Sequence, residues 1–228
     1  MLSEGGCVFL YSLMIIASVC TALGIAWDIR HHPQHMKVMS VTWPVTGLYM
    51  PVFGWFVWQA LGAHKRTDTH DHSAHSAHHH TISWRDACVS ATHCGAGCVT
   101  GDIIAAPVAA FTKVTLAGSA FFGHTLVSFV AAFLLGILFQ YLPMREMGEK
   151  SRVAALIKAV KADTISLVVF QAGMFICLWF FRRGDVNSAP DTGSVTFWGQ
   201  MIVAMFVGYV ISVPANYLLL KRGIKHAM

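Results

Sequence analysis

Apolar and polar positions alternate along this chain in long blocks, not residue by residue. Six apolar runs stand out, over residues 7–27, 38–62, 86–111, 114–142, 163–181 and 196–220. Each is near or above the ~20 residues a helix needs to cross a bilayer. Short polar connections separate them, with one longer, biased connection over 63–84. The pattern predicts an all-α, polytopic transmembrane helix bundle of about six spans. The first run is too long for the ~7–15-residue core of a secretory leader and has no basic residues before it, so it reads as a retained helix.

Between Lys150 and Lys161 the apolar Val153, Leu156, Ile157 and Val160 recur at helical spacing among basic residues. That spacing predicts an interfacial amphipathic helix over 149–162. The whole chain, 1–228, then reads as one integral membrane domain. Residues 63–84 form a His-rich cytoplasmic loop in that reading.

Composition sharpens this picture. The chain is 55% hydrophobic and only 12% charged, about half the charge of an ordinary soluble domain. That argues against a soluble enzyme, a disordered chain and a secreted disulfide scaffold. The net charge of +5 comes from basic residues in short connections, with no basic patch among aromatics of the kind that binds nucleic acid. With six spans, 11 of the 16 Lys and Arg fall on the side shared by the termini and 5 on the other. The positive-inside rule then places both termini in the cytoplasm.

The densest local chemistry is His93-Cys94-Gly95-Ala96-Gly97-Cys98, followed by Asp102. It lies in the middle of an apolar run. On a helix, Cys94, Cys98 and Asp102 form one stripe, with His93 at its edge. Gly97 and Gly101 form a small-xxx-small pair that admits a close neighbour. Thiols suit Cu(I) and imidazole suits zinc or copper. Asp102, an ionisable group at membrane depth, is a candidate for charge or proton handling. His124 and Met174, on other runs, are candidate partners that would complete a metal site. In the connection, His70, His72, His75, His78, His79 and His80 are candidates for accessory metal capture, where zinc or nickel would also fit. The smaller cluster His31, His32 and His35 would sit on the outer side.

The run Ser90–Cys98 with Gly101-Asp102-Ile103 resembles the signature of a bacterial and archaeal membrane family called domain of unknown function 4396. Phe139-Gln140-Tyr141 with Pro143-Met144-Arg145 continues the likeness. So do Lys161-Ala162-Asp163-Thr164, Phe170-Gln171-Ala172-Gly173-Met174, Phe197-Trp198 and Gly223-Ile224-Lys225. The likeness extends over about 38–228. It implies a multi-helix protein of the bacterial or archaeal plasma (inner) membrane, with no established activity, although some members carry a copper-related label. Two features depart from the family pattern: the His-rich connection is longer than in relatives, and Val213-Pro214-Ala215-Asn216-Tyr217 replaces an aromatic-Pro-Val-Asn-Trp stretch.

The reading that joins these features is membrane metal handling, with Cu(I) transported or delivered through an intramembrane Cys/His site and no enzymatic step. Its partners would be the lipid bilayer and a membrane metalloprotein or metal chaperone, with a homo-oligomer also compatible. Competing readings are a thiol oxidoreductase or sulfur carrier using Cys94 and Cys98, a haem- or quinone-linked subunit, and a structural subunit.

Overall fold

The structure, a computed structural model, describes residues 4–34, 36–62, 82–146, 151–183, 185 and 187–225. It is a helical bundle. Long helices α1 (Glu4–His31), α4 (Trp84–Thr112), α5 (Ala120–Glu146), α6 (Arg152–Phe181) and α7 (Val195–Lys221) are joined by two short ones, α2 (Met39–Tyr49) and α3 (Phe53–Val57). A π-helical turn, Trp58–Gly62, extends α3. The five long helices are each apolar and long enough to cross a membrane. Large apolar side chains such as Phe9, Ile16, Leu23, Phe111 and Leu134 cover the outer surface, as lipid-facing positions require. Side-chain caps start four of the helices, with the Ser119 hydroxyl accepting from the Phe122 amide at the start of α5. Ser83 and Asp86 form a capping box on α4, and Ser151 and Ser194 cap α6 and α7, each serving an amide that has no partner within its helix.

The second apolar run is not a span. Pro51 has no amide to donate, the Val52 amide bonds the Thr21 hydroxyl at 3.0 Å, and Val52 sits at φ 64°. The helix therefore stops in mid-bundle. Its direction follows from its contacts with α1. Gly47 lies against the backbone of Thr21 and Ala22, while Trp43 joins Ile25 and Ile29 in one apolar cluster, so α2 runs antiparallel to α1. Past the turn the order reverses: Gly24 meets Trp55, and the Trp58 indole donates to Asp28 at 2.9 Å. The Trp43 and Trp58 rings end side by side, 5.3 Å between centroids. Residues 39–62 thus form a re-entrant hairpin that goes in about 16 Å on its 11-residue arm and returns to the face it left.

Against the expected count of about six spans, the described residues hold five helices long and apolar enough to cross a membrane plus this hairpin, so Glu4 and Lys225 lie at opposite ends of the bundle. Tyr11 packs on Gly199 at one end, and the Arg85 guanidinium donates to the Ala60 carbonyl at the other. On this topology 13 of the 16 Lys and Arg flank one face and 3 the other. The bias is steeper than before, and it now places the C-terminus in the cytoplasm and the N-terminus outside. His31 and His32 move with it to the inner face, and His35 lies outside the described residues. The described part of the expected interfacial helix over 149–162 forms the first turns of α6, which runs on to Phe181.

Candidate functional site

The stripe on α4 faces the interior. Cys94, Cys98 and Asp102 are each at most 1% exposed. On a second face of the helix, Gly97 and Gly101 let α5 approach to backbone contact. A Cβ on Gly97 would stand 2.7 Å from the Gly136 Cα, and one on Gly101 would stand 2.5 Å from the Ala132 Cα. These contacts fix the antiparallel register of α4 and α5.

That register separates the candidate ligands. It pairs residue 97 with 136 and 101 with 132, so His124 stands level with residue 109, about 16 Å along the axis from Cys98 at 1.5 Å per residue. There His124 packs edge-to-face on Phe197, with centroids 5.9 Å apart. His93 is close in sequence but turned away. Its Nε2 donates to the Phe139 carbonyl at 2.8 Å. A carbonyl only accepts, so Nε2 carries the proton and Nδ1 is left as a buried lone pair without a hydrogen bond. The expected five-member set is therefore not assembled. Cys94, Cys98 and Met174 share one buried cluster, together with Tyr49, Phe170, Met201 and Met205, while both histidines stand elsewhere. Among the described residues, no group of three or more His, Cys, Asp or Glu side chains is placed to hold a metal ion. His70, His72, His75, His78, His79 and His80 lie outside the described residues.

What surrounds the thiols is a column of buried polar groups. Cys94 and Cys98, one helical turn apart on α4, are neighbours in the same buried cluster. Toward the outer face, Asp102 accepts two long bonds from the Gln171 amide, at 3.5 and 3.4 Å, and Ser128 lies beside it. No Lys, Arg or His among the described residues pairs with this carboxylate. Beside the thiols, Asp163 on α6 is 1% exposed. Its Oδ2 stands 2.7 Å from where a Gly136 side chain would begin, which puts it level with Gly97. Asn216 accepts from Ser90 at 3.0 Å and donates to Ser166 at 2.7 Å. Lys225, from beyond the end of α7, completes the inner end of the column.

The hairpin tip closes the side of the column. Tyr49 is fully buried, with its ring edge-on to Phe170 at 6.4 Å and its oxygen 2.8 Å from where a side chain on Gly95 would begin. The chain break also strands carbonyls. With proline at 51, the Val52 amide bound to Thr21 and the Phe53 amide bound to the Pro51 carbonyl, the carbonyls of Gly47, Leu48 and Tyr49 lose the amides that a continuing helix would supply. The negative end of α2 is therefore aimed into the bundle interior.

Asp163, Asn216, Lys225 and Tyr49 are absent from the sequence-derived site. Asp163 carries the same signal as Asp102, an acid inside an apolar run. Lys225 reads there only as one of the basic residues beside the inner face.

The fold and its core define an α-helical, multi-pass membrane protein with a buried thiol–carboxylate column. Residues 83–225 match the family described as Domain of unknown function (DUF4396), and the chain belongs to that family. The match covers α4–α7, and with them both thiols, both acids and Lys225. Helix α1 and the re-entrant hairpin, including Tyr49, lie outside it. Neither a curated protein nor a solved structure matches the chain.

Proposed function

We propose that this protein handles Cu(I) within a bacterial or archaeal inner membrane, moving the ion across or delivering it to a membrane metalloprotein. The observation that supports this most is the neighbouring pair of buried thiols, Cys94 and Cys98, between two buried acids and in one cluster with Tyr49 and Met50 at the end of a broken helix. Soft sulfur ligands select Cu(I), and Met174 adds a thioether to the same cluster. Two thiols without an imidazole or a third thiol do not make the closed four-ligand set that structural zinc takes. Asp102 and Asp163 place two acidic groups along the path, of which Asp163 has a cation beside it. Half-helix C-termini and unwound carbonyls serve cations in transporters built with broken helices, and α2 ends in this way. The His-rich connection would act as an accessory that captures copper, zinc or nickel at the inner face.

The test is anaerobic Cu(I) titration of purified protein against a chromophoric competitor. The parent chain is expected to hold about one tightly bound equivalent at the thiols. The double variant Cys94→Ser/Cys98→Ser should bind there about 100-fold more weakly, because a hydroxyl is a hard, poor ligand for this ion. Equal affinity in a monodisperse double variant refutes the reading.

A further inference from the structure

Lys225 is in an unusual place for a basic residue beside a membrane face. It lies four residues past the end of α7, where water is close by. Instead the chain turns at Gly223, φ 67°, and the amides of Ile224 and Lys225 both bond back to the Leu219 carbonyl, at 3.0 and 3.3 Å. This fold-back carries the lysine into the bundle, where it is 2% exposed. Its ammonium donates to the Asn216 Oδ1 at 3.0 Å and stands 3.8 Å from the Asp163 Oδ1.

Asp163 is left under-served by this arrangement. Neither of its oxygens has a hydrogen-bond partner, although an ionised carboxylate has about four acceptor sites. A buried carboxylate lacking such bonds is costly unless a cation stands near it. The groups gathered here from three helices present mainly oxygen, from Asp163 and Ser166 on α6, Asn216 on α7 and Ser90 on α4, with the His93 imidazole of α4 beside them. Oxygen donors suit hard cations, in contrast to the neighbouring sulfur cluster. An ammonium and Na+ are both hard and singly charged, so exchanging one for the other conserves charge.

We propose that Asp163, Asn216, Ser90 and Ser166 form a hard-cation site, that Lys225 occupies it as a tethered counter-ion, and that the C-terminal turn thereby closes the inner end of the polar column. The ammonium bridges Asn216, which is bonded to Ser90 one turn nearer the inner face than Cys94, and Asp163, which stands level with the thiols. Its departure would open the column and leave the site to a free monovalent cation. This inference does not rest on the copper reading, because neither thiol takes part in it.

The test uses the full chain in proteoliposomes and radiolabelled Na+ as the probe. Wild-type vesicles should take up Na+ little faster than protein-free ones. K225A should raise the initial rate about tenfold, and D163N/K225A should return it to the wild-type level, because the carboxylate that attracts the ion is then gone. A K225A rate equal to wild type overturns the proposal, and so does a raised rate that persists in the double variant. Should K225A fail to yield monodisperse protein, the wild-type chain serves. Modification of Lys225 by an amine-reactive reagent, read by mass spectrometry against the other lysines, should rise severalfold when Na+ replaces choline. Unchanged modification overturns the proposal equally.

Discussion

Replacing Gly101 with alanine tests how α4 is held against α5. In an ordinary helix interior this change stabilises by about 1 kcal/mol. Here the added Cβ would stand 2.5 Å from both the Ala132 Cα and its nitrogen, and 2.9 Å from the Ala131 carbonyl carbon. Carbon atoms rest about 3.5–4.0 Å apart, so α5 must retreat by roughly 1 Å. Backbone atoms cannot rotate aside as a flexible side chain would. A gap of this size forfeits about a quarter to a half of the dispersion energy of each contact it opens. Between helices in lipid, dispersion and hydrogen bonding supply the attraction, with no hydrophobic term to compensate. Overpacking typically costs about 1–3 kcal/mol. Contacts this short on backbone atoms put the cost at the upper end of that range, so set against the helix-propensity gain the expected net loss is about 2 kcal/mol. Gly97→Ala, whose Cβ would meet the Gly136 Cα at 2.7 Å, presses on the same neighbour, so the double variant should lose less than the sum of the two. Gly24→Ala is the control, because its nearest neighbour is the Trp55 ring at 3.5 Å, an ordinary contact. Tryptophan-fluorescence melting in detergent compares the four variants with the parent. Gly101→Ala melting at or above the parent would refute the close-contact reasoning.

Two further outcomes are expected. Reporter fusions should place the N-terminus outside and both residue 75 and the C-terminus inside, and termini found on one face would show that residues 39–62 cross the membrane after all. Deleting 68–80 should leave thermal melting and the tight Cu(I) equivalent unchanged while lowering the total copper, zinc or nickel bound per chain, and loss of the tight equivalent would make the connection part of the main site.

The helical class and the limits of α4 and α7 were legible because lipid demands long apolar runs, and such runs announce themselves: 86–111 lies within Trp84–Thr112, and 196–220 within Val195–Lys221. The inward stripe was legible for a related reason, since helical period and the cost of Asp102 in lipid leave it one direction to face. Hydropathy failed at 38–62 because it measures composition without direction. A hairpin buried against α1 needs the same apolar residues as a span, and only Pro51 beside Val52 marks where the chain turns back. His93 and His124 were misplaced for a different reason. Period gives the face of a helix but not the register of its neighbour, and that register depends on which small residues meet, here Gly97 with Gly136 and Gly101 with Ala132. The inner end of the column was hardest to foresee. Asp163 obeys the same rule as Asp102, yet its counter-charge lies 62 positions away, outside any apolar run, and reaches it only through the turn at Gly223. A buried charge in a membrane bundle can therefore be predicted from its own segment, but its partner cannot. The partner is set by where the chain folds back after leaving the membrane, and in this protein that fold-back brings a cation to the acid nearest the thiols.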